Sequence, residues 1–101
     1  MCCVAVQRSD DAEADLERLW LSAARRYGAA HAFRVLSHLD DLFCHLEQFP
    51  GMGRQHPKLR PGIRYFPVRI YPFIVFFKQQ SDGIRIVRIL HDKMQVEDHL
   101  S

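Results

Sequence analysis

Long apolar runs, metal-spaced cysteines and late tyrosines are all missing from this 101-residue chain. The run Phe73-Ile74-Val75-Phe76-Phe77 falls far short of the roughly 20 residues that a bilayer span requires, which excludes a membrane helix there. Met1 to Arg8 has neither a basic n-region nor a full apolar h-region, so export is not expected. Cys2, Cys3 and Cys44 show no metal-ligand spacing and cannot all pair within one chain. The expectation is a reduced, cytoplasmic protein without metal or cofactor. Cys44 lies in an apolar helical stretch and reads as a core residue, and Cys2-Cys3 as small residues opening a strand. Repeats and low-complexity tracts are absent too. With 48% apolar and 26% charged residues, the chain reads as one globular domain over 1–101.

What is present is an uneven charge. Residues 1–53 hold five Lys/Arg against eight Asp/Glu, whereas residues 54–93 hold nine Lys/Arg against only Asp82 and Asp92. The chain therefore divides into an acidic half and a basic half. A basic face points to nucleic acid or an acidic protein segment as partner.

The acidic half reads as helical. Val4-Ala5-Val6 is a short first strand stopped by Ser9, a good N-cap, with Asp10, Asp11 and Glu13 suited to the positive end of a helix dipole. Ala12, Leu16, Leu19/Trp20, Ala23 and Tyr27 recur at a helical period, which makes Trp20 and Tyr27 core residues. Gly28 stops this helix. Ala32, Leu36, Leu39, Phe43 and Leu46 mark a second helix that Pro50 ends. Helices joined this tightly form a hairpin.

The basic half reads as a loop from Pro50 to Gly62 and then three strands. These run about Ile63–Ile70, Tyr71–Gln79 and Ile84–Leu90, the last two joined through Ser81-Asp82-Gly83. Pro67 and Pro72 place an edge, bulge or bend near Arg69. The order β-α-α-β-β-β predicts an α+β fold in which a helical hairpin covers one face of a small antiparallel sheet.

These landmarks in this order resemble the ParE/RelE superfamily of type II toxin–antitoxin toxins. The resemblance is carried by Ala12-x-x-Asp15-Leu16, Tyr27-Gly28, Leu46-x-x-Phe49-Pro50-x-Met52-Gly53, Pro61-Gly62-Ile63-Arg64, Ile74-Val75-Phe76-Phe77 and Arg88-Ile89-Leu90-His91-x-x-Met94. The closing Arg-hydrophobic-Leu-His segment is most similar to the ParE branch. The resemblance implies a growth-inhibiting, plasmid-stabilising toxin neutralised by an antitoxin encoded beside it. ParE-like members poison DNA gyrase and block replication. RelE-like members cut mRNA in the ribosomal A site. A third alternative is a non-toxic relative that keeps only antitoxin binding.

On the nuclease alternative, Arg64 stands where RelE-like members keep a phosphate-binding arginine. Arg88, His91 and Lys93 would complete the set, with His91 exchanging protons near neutrality. Against it, no tyrosine follows Tyr71, and Glu47 is the only acidic residue between Asp41 and Asp82. On the gyrase reading no covalent chemistry is needed. Lys58, Arg60, Arg64, Arg69, Arg88, His91 and Met94 would grip the target, the arginines through bidentate contacts. The antitoxin would lay an amphipathic helix on the hairpin, meeting exposed Leu21 and Val35, and would reach Arg64 and Arg69 on the sheet. Each cation also has an ordinary structural role open to it. Arg64 would pair with a helix carboxylate such as Asp15. Arg88, on the strand face of Ile84, Ile86 and Leu90, would be a partly buried paired arginine, and His91 a strand-end hydrogen-bonding residue.

Overall fold

Ser9 decides where the first helix begins and how it meets the sheet. In the computed structural model, which describes residues 6–68 and 70–91, the Ser9 hydroxyl accepts from the Ala12 amide at 3.0 Å and donates to the Val87 carbonyl at 2.7 Å. Helix α1 spans Asp10–Tyr27, with acidic residues in its first turn and Arg25 and Arg26 in its last, as the helix dipole favours. Gly28 follows with φ 92°, a region that glycine enters without strain, and its amide donates to the Ala24 carbonyl at 2.9 Å. Helix α2, Ala29–Gln48, starts at the next residue and packs against α1. A single 3-10 turn, Pro50–Met52, leads into the loop.

Among the described residues four strands form one sheet: β1 Val6–Arg8, β2 Ile63–Pro67, β3 Phe73–Gln80 and β4 Gly83–His91, in spatial order β1-β4-β3-β2. The sheet is mixed rather than antiparallel. β2–β3 and β3–β4 are antiparallel, but β1 runs parallel to β4, with Val6, Gln7 and Arg8 opposite Ile84, Arg85 and Ile86. The direction follows from Ser9, whose amide donates to the Ile86 carbonyl and whose hydroxyl holds Val87, so β1 must advance along β4. Expected strand residues Ile70 and Tyr71 lie instead in the β2–β3 turn, between Pro67 and Pro72. Val4, Ala5, Cys2, Cys3 and Arg69 lie outside the described residues.

The sheet is apolar on both faces. Against the helices, Leu16, Leu19, Val35, Leu39, Phe43 and Leu46 pack on Val75, Phe77, Ile84, Ile86 and Ile89. On the far face, loop residue Leu59 packs on Phe76 and Leu90, flanked by Ile63, Tyr65, Ile74 and Val87. A bulge sets this division. Phe77 pairs with Ile86 but Phe76 with Arg88, leaving Val87 as an extra residue. The alternation slips there, so Ile89 joins Ile84 and Ile86 under the helices while Leu90 faces away. The expected common face of Ile84, Ile86 and Leu90 is thereby corrected.

Two further expectations change. Tyr27 is 67% exposed, because α1 ends there beyond the reach of the sheet. Cys44 is half-buried and disulfide-bonded, not a free core thiol.

Ser9 carries a first prediction. Alanine there removes the helix cap and leaves the Val87 carbonyl without its donor. We expect Ser9→Ala to lower unfolding free energy by about 1–2 kcal/mol, read from the urea midpoint at unchanged m-value. A shift below a few tenths of that range would mean water replaces both bonds.

Candidate functional site

The bulge also turns two backbone and side-chain groups of β4 toward α1. One turn into that helix sits Asp15, a buried carboxylate and the partner of both. Arg88 donates to it through Nε at 2.8 Å and Nη2 at 3.0 Å, and the buried Ile89 amide donates at 3.0 Å. Arg18, one helical turn on, adds a further contact from its exposed side chain. Burial alone would push the Asp15 carboxyl up. The Arg88 hydrogen bonds, the Ile89 amide, the Arg88 charge and Arg18 outweigh it and hold the group below its ordinary value. The carboxylate is saturated with donors, which makes it a clamp and a poor proton acceptor.

Arg88 is therefore committed inward, its side chain only 16% exposed. The expected pairing of Asp15 with Arg64 is corrected. Arg64 sits on β2 opposite Phe77 and donates to the Gly53 carbonyl at 3.2 Å. Lys58 and Arg60 are exposed on either side of buried Leu59. His91 lies opposite Phe73, the two rings perpendicular with centroids 6.1 Å apart. Lys93 and Met94 lie outside the described residues.

Among the described residues, Arg64 and His91 of the expected nuclease set do not converge. Arg64 and His91 stand four residues apart along the strands and two strands apart across them, so their backbones are about 16 Å from each other. Among the described residues no group of three metal-ligating side chains comes together. No helix among them is long and apolar enough to cross a membrane.

On the helical side an open groove of about 650 Å³ runs between α1, α2 and the end of β1. Its apolar floor is Leu16, Trp20, Leu21 and Leu36, and Glu13, Glu17 and Asp40 stand at its rim, Asp40 bonded to Arg8 at 3.0 Å. Leu21 is 42% exposed, as expected for a docking position. Val35 is not exposed. It is buried in line with Leu39 and Phe43, one helical turn apart each, so it cannot meet a partner. Phe33, exposed beside Trp20 with rings edge-on at 6.2 Å, is the apolar side chain that α2 does present. Its position off the Ala32–Leu36–Leu39 stripe was the available signal.

This arrangement of an α-hairpin clamped on the sheet can be set beside known proteins. A family model described as the ParE toxin of type II toxin-antitoxin system, parDE, matches residues 6–96. The chain belongs to the ParE toxin family. Toxin ParE3 of Caulobacter vibrioides is 30% identical to this ParE-family toxin over 95 residues, spanning 94% of this chain and 93% of the relative. Toxin ParE1 of Mycobacterium tuberculosis is 30% identical over 93 residues, 91% of this chain and 93% of the relative. The fold also matches a solved chain from the chromosomal ParDE TA system of P. aeruginosa with a TM-score of 0.73 at 23% identity, covering 85% of this chain and 92% of that one. In this ParE-family toxin the motif Arg88-Ile89 joins the last strand to Asp15 of the first helix, which gives those residues a structural reason to occur together.

Proposed function

We propose that this ParE-family toxin stops growth by inhibiting DNA gyrase, and that a cognate antitoxin neutralises it. The observation that carries the reading is negative for chemistry: Arg88 is locked on Asp15, and Arg64 and His91 stand at opposite corners of the sheet. Among the described residues no catalytic set converges, which favours action by binding. Arg64 on the outer strand β2 and the exposed loop residues Lys58 and Arg60 are offered to the target, and Arg88 ties β4 to the first helix. The antitoxin's place is the groove over Trp20, Leu21 and Leu36, where an amphipathic helix buries apolar side chains between acidic rims. The solved ParDE relative supports an antitoxin partner.

The test incubates purified chain with gyrase, ATP and supercoiled plasmid, followed by denaturation and protease. Linear plasmid is expected, and it should vanish when antitoxin is added. In cells, DNA damage signalling and filamentation should precede any loss of translation. Unchanged plasmid from demonstrably folded protein would reject gyrase as the target. Transcripts cut within codons would replace it with the ribosome.

A further inference from the structure

The face of the sheet turned away from the helices carries an unusual pair. Ile84 and Ile86 point into the helix-side core, so Arg85 between them points away. On β3, Phe77 points into the same core and Lys78 away. Lys78 and Arg85 are direct ladder partners, and both are exposed. Side chains in that register start about 5 Å apart, where like charges repel. Among the described residues no carboxylate pairs with either. One row along, Arg54 is bridged to Tyr65 by two backbone hydrogen bonds of 2.8 and 2.9 Å, which puts its exposed side chain on this same face. Two cations thus sit at strand positions and a third at an isolated bridge beside β2, over a face whose apolar centre is sealed by Leu59.

We infer that this far face is a docking surface for duplex DNA, with Lys78 and Arg85 as a cross-strand pair of phosphate contacts and Arg54 as a third. The inference rests on the gyrase reading, since it names the DNA held by the enzyme as a surface the toxin touches. A closely spaced cation pair is unfavourable in the free protein and favourable against a polyanion, and duplex DNA presents one negative charge per about 1.7 Å of its axis. Single-stranded RNA fits less well. Its recognition relies on several exposed aromatic platforms, whereas among the described residues near the cations Tyr65 is half-buried and only the His56 ring, 6.4 Å from it, is exposed. Base reading is not part of the contact, because among the described residues no helix or strand projects from the face to enter a groove. The exposed acids Asp10, Asp11, Glu13 and Glu17 of α1, beyond the sheet, repel DNA there and orient the chain.

Fluorescence anisotropy with a labelled 30-base-pair duplex, between 50 and 200 mM salt, tests this without gyrase. Wild-type chain should bind with affinity falling steeply as salt rises. Lys78→Gln with Arg85→Gln should flatten the log–log salt slope by about 1.8, the value for two lost phosphate contacts. Arg25→Gln with Arg26→Gln removes the same charge from the far end of α1 and should leave the slope unchanged. The thermal midpoint of Lys78→Gln/Arg85→Gln should not fall, because an opposed like-charge pair has been removed. Absence of duplex binding, an unchanged slope in the strand variant or an equal loss in the helix variant would overturn the inference. So would tighter binding of single-stranded RNA through the same residues. The plasmid assay separates this inference from the gyrase reading. Duplex binding without cleavage complexes leaves the surface standing and removes gyrase, whereas cleavage complexes at wild-type potency from Lys78→Gln/Arg85→Gln remove the surface and leave gyrase.

Discussion

Asp15→Ala is expected to lower the stability of this domain by about 3–5 kcal/mol, which is the range for breaking a buried ion pair from one side. The substitution leaves the Arg88 guanidinium mostly buried without its carboxylate and the buried Ile89 amide without an acceptor. For a domain of this size that corresponds to a fall in thermal midpoint of about 15 °C or more. Arg88→Ala should cost less, because Ile89 and Arg18 still donate to the carboxylate. The double variant should be more stable than the sum of the two, by a coupling of about 1–3 kcal/mol. Strict additivity would show that the two residues do not act as a unit.

The same carboxylate sets an acid limit. Its folded value lies below the ordinary 3.8, so its contribution is complete above that value and is lost as pH falls through the lower folded one. Wild type and Asp15→Ala should therefore differ most near neutrality and converge as pH drops below 3.8. A gap that stays constant down to pH about 2 would place the effect in lost packing, not in the ion pair.

Gly53→Ala is expected to be the other large effect, and its cause is space alone. Gly53 has an ordinary extended backbone, φ −73° and ψ 146°, which any residue adopts. A Cβ there would sit 2.3 Å from Phe77 Cζ, 2.6 Å from Phe77 Cε1 and 2.9 Å from Arg64 Cβ. Phe77 is fully buried at the centre of the sheet and has nowhere to move. Overpacking of this kind costs about 1–3 kcal/mol. Any retreat of Gly53 also stretches its carbonyl bond to Arg64 and the neighbouring Arg54–Tyr65 bridge, so the upper end of the range is expected. Replacing Phe77 with leucine removes the ring atoms in the way. Gly53→Ala should therefore destabilise the Phe77→Leu background less than it destabilises wild type. An equal penalty in both would rule out the clash as the cause.

Much of the fold was legible because its signals are local. Ser9, Gly28 and Pro50 punctuate the helices through their own side-chain or backbone chemistry. Ser81-Asp82-Gly83 turns the last hairpin, and Leu16, Leu39 and Phe43 declare their faces by spacing. The family was legible for the same reason, since its landmarks are short motifs in a set order. The site was less so. Arg88 was open to two readings, a target anchor or a partly buried paired arginine, and only the position of Asp15, 73 residues away in sequence, supplies the pairing. Lys78 and Arg85 were ordinary scattered cations until pairing made them neighbours.

By itself, then, the sequence determined the element types, the helix ends, the two-sided charge and the ParE relationship. Each depends on interactions within a few residues or on composition. Only the tertiary structure decided that β1 runs parallel to β4, that a bulge at Val87 moves Leu90 to the far face, that Val35 is buried and Tyr27 exposed, and which arginine Asp15 holds. These depend on where α1 lands along the edge of β4. That placement is a balance of contacts between segments more than 70 residues apart, which no local pattern encodes.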